Sequence, residues 1–339
     1  MTWLTWRQLR TQAVAGWAAV AAAALVFALT YGGLPAAGGS VYDQLTDLDR
    51  NLYIAGVVLV AVAPALVGAF WGAPLVAREL ESGTHQLVWN QSVTRTRWLA
   101  VKLGVAVLAT AAAVGLLALV VTWWSAALDG AVAETSGSLP TRLTPVSFAM
   151  RGLVPVAYAV FALVTGVFFG TLLRRTVPAM AATLVVVVFA QIASPLWVRP
   201  HLIPPSRESV TVTEENLAGI GWRGSADQFE LNVAPANPGD WVLVNRLLDP
   251  AGRPVTAIPA ELGRCFPPPG PRGEKPRDRP DRAAIGDCFR ATAAAGYRQE
   301  LVYQPASRFW ALQWAETGVF LGLAGLLAWA CFARIRRLS

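Results

Sequence analysis

Two histidines, two lysines, three cysteines and a single carboxylate inside an apolar run are the side chains from which catalysis would be built. His85 and His201 stand far apart, and neither a His-Glu-x-x-His nor a paired-cysteine spacing accompanies them, so zinc hydrolysis lacks its ligands. Lys102 follows Val101 and Lys275 follows Glu274; neither closes the Gly-Lys-Ser/Thr loop that cradles a nucleotide phosphate. The sequence therefore predicts no catalytic residue, no metal site and no ATP hydrolysis by this chain. The lone carboxylate is Glu316. At membrane depth such a group is costly unless it meets substrate, a helix partner or the headgroups. Its nearness to Trp310 and Trp314, residue types that settle at interfaces, favours the headgroup reading.

The elements that must position these residues are long apolar runs. Of 339 residues 55% are hydrophobic and 14% charged, well below the quarter or so of a soluble protein. Runs near the length of about 20 residues that spans a bilayer occupy Val14–Thr30, Ile54–Val76, Leu99–Trp124, Val154–Leu173, Pro178–Val198 and Phe309–Phe332. The first also resembles a signal peptide, with Arg7 and Arg10 ahead of it, but its length favours an uncleaved span. Residues 1 to 12 alternate apolar Trp3, Leu4, Trp6 and Leu9 with polar positions, which predicts a short interfacial helix before that span.

The net charge of +7 is not a nucleic-acid footprint. Residues 199–308 hold 14 basic and 13 acidic groups, so the excess lies in the membrane part. Eleven basic residues, among them Arg7, Arg10, Arg78, Arg95, Arg97 and Lys102, fall on one side of the spans, against Arg50, Arg142 and Arg151 on the other. The positive-inside rule then places both termini in the cytoplasm of a multi-pass cell-membrane protein.

The expected fold is an all-α membrane protein: six transmembrane helices with a small α+β extracytoplasmic domain between helices five and six. Residues 1–198 form the membrane domain with its interfacial helix and first five spans, 199–308 the outer domain, and 309–339 the sixth span and tail. In the outer domain, Val210–Val212, Trp241–Asn245 and Leu301–Tyr303 read as strands, Ala283–Tyr297 as a helix and Pro267–Arg282 as a loop. An oxidising exterior favours a disulfide between Cys265 and Cys288 over two free thiols.

Glycines four apart, Gly68 with Gly72, Gly166 with Gly170 and Gly318 with Gly322, are candidates for helix packing, within the bundle or between copies. Glu316 joins them as a candidate for packing or for lining a substrate pathway.

One cytoplasmic segment carries more information. Between spans two and three lies Ala77-Arg-Glu-Leu-Glu-Ser-Gly-Thr-His-Gln-Leu-Val-Trp-Asn-Gln-Ser-Val-Thr-Arg-Thr-Arg-Trp98, with Lys102 soon after. Gly83 can break the second helix, and Ser92 or Thr94 can cap the third. This segment resembles the corresponding stretch of ABC-type-2 exporter permeases, through Arg78, Glu79, Gly83, Thr84, Leu87, Ser92, Thr94, Arg95 and Lys102. The longer pattern with His85, Trp89, Gln91, Arg97 and Trp98 looks like a branch from GC-rich bacteria.

The resemblance implies that residues 77–98 form a coupling element seated on a separate ABC ATPase, which would hold the ATP and magnesium. By that resemblance Arg78, Glu79, Glu81, Thr84, His85, Trp89, Arg95 and Arg97 are the ATPase-coupling candidates. It also implies a dimer, with a second copy or a homologous permease, exporting substrate across the lipid bilayer. The alternative is a non-transporting membrane sensor or scaffold that recruits a signalling ATPase. A membrane enzyme of unfamiliar chemistry is a third reading.

Overall fold

The computed structural model describes residues 2–32, 46–83, 94–134, 142–223, 228–255, 257–266 and 282–337, with backbone alone for 2–13, 15, 127–134, 222–223, 228 and 282–283. Its helices are α1 (Thr2–Tyr31), α2 (Asp47–Glu81), α3 (Arg95–Glu134), α4 (Pro145–Met150), α5 (Val154–Leu173), α6 (Thr176–Leu202), α7 (Arg282–Ala294) and α8 (Phe309–Arg336). The chain divides into two compact units. One holds Met1–Ala131, Thr144–Ile203 and Phe309–Ser339; the other holds Val132–Leu143 and Pro204–Arg308.

In the first unit, α2, α3, α5, α6 and α8 are long and apolar enough to cross a membrane. The sixth expected span, α1, has the shorter apolar stretch Gly16–Tyr31. Residues 1 to 12 do not form the separate interfacial helix the sequence suggested. Thr2–Tyr31 is one uninterrupted helix, and no proline or glycine precedes Gly16 to break it.

Helix α5 is the centre of this unit because it is apolar on every side, the signature of a helix buried all round. A two-residue link joins it to α6: Arg174 takes the left-handed conformation at φ 54°, and extended Arg175 precedes Thr176. Helix α2 starts with a capping box in which Thr46 Oγ1 accepts from Asp49 N and Thr46 N donates to Asp49 Oδ2 at 3.1 Å. Three residues after Pro64 it widens into a π-helical turn, Val67–Gly72, where the Ala73 amide reaches back five residues to the Gly68 carbonyl. Helix α1 lies against α2 and α3 through Phe27 and Trp124, edge to face at 5.4 Å, and a bond from Trp124 Nε1 to Thr30 Oγ1 at 3.2 Å.

The glycine pairs explain how α2 and α5 cross. A Cβ on Gly68 or Gly72 would strike the carbonyl oxygen of Ala162 or Leu163, and one on Gly166 or Gly170 would strike the α2 backbone at Gly68 or Ala73. Each pair is thus the hole for the other helix, and backbone contact replaces side-chain contact. By contrast, a Cβ on Gly318 or Gly322 meets nothing within 4 Å among the described residues, so this pair packs no helix within the chain.

The second unit has five strands, β1 (Ser206–Val210), β2 (Leu217–Arg223), β3 (Gln228–Val233), β4 (Trp241–Leu248) and β5 (Arg298–Gln304). They form an antiparallel sheet of order β1-β5-β4 and a β2-β3 hairpin. Side-chain amides join the two. Asn245 Nδ2 donates to the Val233 carbonyl at 2.8 Å, and the buried Gln299 Nε2 donates to the Leu231 carbonyl and to Asn245 Oδ1 at 2.7 Å each. Phe229, Leu231, Val233, Leu247, Leu262 and Phe289 fill the core beneath them. A disulfide ties Cys265 to Cys288 on α7. The loop expected at Pro267–Arg282 lies outside the described residues up to 281.

Candidate functional site

The C-terminal end of α2 and the N-terminal ends of α3 and α6 gather the described members of the segment that the sequence marked as a coupling candidate. Helix α2 carries Arg78, Glu79 and Glu81 in its last turn. Glu79 forms an ion pair with Lys102, about two turns into α3, and Lys102 also lies over the Trp98 ring at 4.7 Å. Both partners are largely withdrawn from solvent, so breaking one would strand the other. Glu81 accepts from Thr176 N at 2.9 Å and Thr176 Oγ1 at 2.7 Å. It thereby places an anion on the N-terminus of α6, where free amides and the helix dipole favour negative charge.

The start of α3 is capped by Thr94, whose Oγ1 accepts from Arg97 N at 3.4 Å. Arg95 is half-buried, whereas Arg97 and Arg78 are exposed. Thr84, His85 and Trp89 lie outside the described residues. The structure therefore brings Glu79 and Glu81 into bonds within this chain and leaves Arg78 and Arg97 on the surface.

The second concentration of charge surrounds Glu316. The expectation that it reaches the headgroup region is overturned, because Glu316 is fully buried. Trp310 and Trp314 occupy one stripe of α8 and are exposed, while Phe309, Gln313, Glu316 and Phe320 occupy the stripe turned inward. Arg199 Nε meets Glu316 Oε2 at 2.7 Å and Arg199 Nη2 meets Oε1 at 3.1 Å, a two-pronged pair with neither side chain exposed. Tyr158 on α5 donates to Oε1 at 2.5 Å and Ser194 on α6 donates to it at 2.6 Å. The remaining guanidinium nitrogen donates to the Pro145 carbonyl at 2.9 Å, and the group lies 4.2 Å from the Phe148 ring centre. Nearly every donor and acceptor is used, the condition under which a buried pair can persist.

One turn earlier on α8, Gln313 makes four more bonds. Its Oε1 accepts from Leu153 N and Val154 N at 3.0 Å each, which satisfies amides at the start of α5; its Nε2 donates to the Phe148 and Arg151 carbonyls. Gly152, at φ 70°, provides the turn that this side chain closes, and a Cβ there would collide with it.

Sequence reasoning placed Arg199 at the start of the outer domain and overlooked Tyr158, Ser194 and Gln313. In the structure α6 continues to Leu202. Pro195 sits in a second π-helical turn, Ser194–Val198, and Arg199 N reaches back five residues to Ser194 O. A lone span carboxylate needs a counter-ion, and an arginine directly after an apolar run holding Pro195 was the available signal.

Glu316 therefore binds α5, α6 and α8 together. Gly68, Gly72, Gly166 and Gly170 are occupied by helix packing.

No match was found among curated proteins or among solved structures. A family model, "ABC-2 membrane transporter related", matches residues 11–199, more than half of the chain, covering α1 to α6 up to Arg199 itself. With apolar helices able to cross a bilayer, a rigid knot of buried charge and that match over its membrane part, the chain belongs to the ABC-2 membrane transporter related family.

Proposed function

We propose that this chain is the permease subunit of an ATP-driven exporter, and that residues 77–98 couple it to a separate ABC ATPase. ATP and magnesium bind in that partner. Two permeases, either identical or homologous, form the working unit in a bacterial cell membrane. Both termini are cytoplasmic, and Pro204–Arg308 lies outside, where oxidising conditions suit the Cys265–Cys288 bond.

The observation that carries this reading is the double anchorage of the inner end of α2, to α3 through Glu79 and Lys102 and to α6 through Glu81 and Thr176. An element that transmits force must not bend where it joins the spans. These bonds stiffen that joint, so that a push on the segment moves α2, α3 and α6 together. Exposed Arg97 is proposed to make the contact, together with Thr84, His85, Trp89 and Arg95.

The test is co-expression with an ABC ATPase encoded beside this gene, followed by co-purification and ATP-dependent efflux from inverted vesicles. Arg97→Ala should weaken co-purification. Lys102→Met should leave the complex intact and cut efflux severalfold. Unchanged efflux in both variants, or retention of a histidine kinase in place of the ATPase, would refute the coupling role and point to the sensor reading.

A further inference from the structure

Helices α1, α2, α3 and α6 enclose an open groove of about 590 Å³, within the range of sites for sizeable ligands. Its wall is apolar along α2 from Leu59 through Leu66 and Phe70 to Trp71, with Leu117 of α3 and Met180 of α6 opposite. From Leu59 to Arg78 the groove follows about 28 Å of helix at 1.5 Å per residue. Arg78 is the one charged residue in the lining, and Thr176 stands at the same end, held there by its bond to Glu81.

Glu79 is committed to Lys102 and Glu81 to Thr176, and among the described residues Arg78 makes no ion pair. Residues 84–93 and 1–13 contain no Asp or Glu. Gly16 on α1 faces Trp71 and Phe27 faces Gly56, so α1 runs antiparallel to α2 and brings Arg7 and Arg10 toward the Arg78 end.

We propose that this groove binds an anionic glycerophospholipid from the cytoplasmic leaflet, with an acyl chain along Leu66, Phe70 and Trp71 and its phosphate on Arg78. A planar guanidinium matches phosphate oxygens in two-pronged fashion, and the apolar wall removes the chain from contact with neighbouring lipids. The cationic end fixes which leaflet supplies the lipid. The inference rests on the membrane orientation proposed above and needs no ATPase.

Native mass spectrometry of the full-length protein in detergent tests it, with phosphatidylglycerol and phosphatidylcholine of identical chains added in turn. Wild type should retain one phosphatidylglycerol about tenfold more tightly than phosphatidylcholine, because both bring a phosphate but the choline cation of the second is repelled by Arg78. Arg78→Gln should abolish the preference, and Arg78→Lys should restore part of it. Ala63→Phe, which fills the groove, should remove retention of both lipids. Equal retention in wild type, an undiminished preference in Arg78→Gln, or disulfide-linked dimers of a Leu66→Cys variant showing a second copy in the groove would overturn the proposal. Because the assay omits the ATPase, its failure leaves the coupling reading standing, and loss of coupling leaves the lipid site standing.

Discussion

Arg199 and Glu316 lie 117 positions apart and meet with both side chains wholly buried, Nε to Oε2 at 2.7 Å. The pair joins the C-terminal end of α6 to the second turn of α8, and Tyr158 adds α5 to the same knot. Its value is geometric as much as energetic. Two charges withdrawn from water gain little over a well-packed apolar pair, but each is held where only the other can satisfy it. The three helices are therefore fixed in one register at the end away from the coupling segment.

A double-mutant cycle on this pair should show strong coupling. Glu316→Leu or Arg199→Met alone leaves a buried charge without its counter-ion and should destabilise the protein by about 3–5 kcal/mol. The double variant Arg199→Met with Glu316→Leu should regain most of that loss. Thermal unfolding in detergent, followed by circular dichroism, reads both; additive losses would show that the pair is not coupled.

The crossing of α2 and α5 should discriminate sharply among glycines. Gly166→Ala places a methyl against the Gly68 carbonyl and the α2 backbone, and should cost about 1–3 kcal/mol as overpacking. Gly322→Ala faces open space and should stay within about 0.5 kcal/mol of wild type. The same unfolding measurement compares them, and equal effects would contradict the crossing.

Reduction of the outer unit should be visible on a gel. The Cys265–Cys288 bond closes a separation of 23 residues and contributes about 3 kcal/mol in the chain-entropy view. Wild type should migrate faster oxidised than reduced, and Cys265→Ser should migrate as the reduced form under both conditions. Identical mobilities of oxidised and reduced wild type would exclude the bond.

Acid should weaken the turn that follows β4. Asp249 accepts from the amides of Arg253 at 2.8 Å and Ala251 at 2.9 Å and pairs with the Arg253 guanidinium, which together hold its carboxyl below the usual carboxylate range. A depressed folded pKa means that the carboxylate stabilises the turn fully above its unfolded value of about 3.9 and loses that contribution as pH falls through the folded one. The gap in unfolding temperature between wild type and Asp249→Asn should therefore be constant from neutral pH to about pH 5 and shrink as pH falls below the unfolded value and through the folded one. A gap that persists in strong acid would contradict the assignment.

How much the sequence disclosed differs between elements. Val154–Leu173 was legible to the residue, since a run of apolar residues bounded by Gly152 and by Arg174–Arg175 admits one reading. The strands at Trp241 and Leu301 were legible through alternation. The β2-β3 hairpin was not, because Gly219 and Gly221 interrupt the pattern of β2. Glu79 and Glu81 were marked for an outside partner, yet both find partners inside the chain. A charge at a helix end looks the same in sequence whichever neighbour it meets.

By itself the sequence determined that this is a multi-pass membrane protein, which segments are apolar enough to cross, and which loop motif carries its family resemblance. Those properties depend on composition, run length and motif spacing, all of which are local. Tertiary structure alone decided that Glu316 pairs with Arg199, that the Gly68 and Gly166 pairs receive each other, and that α6 is anchored by Glu81. Each depends on which helix faces which and at what rotation. A π-helical turn changes that rotation by about 100° per added residue, and Pro195 places one such turn directly before Arg199.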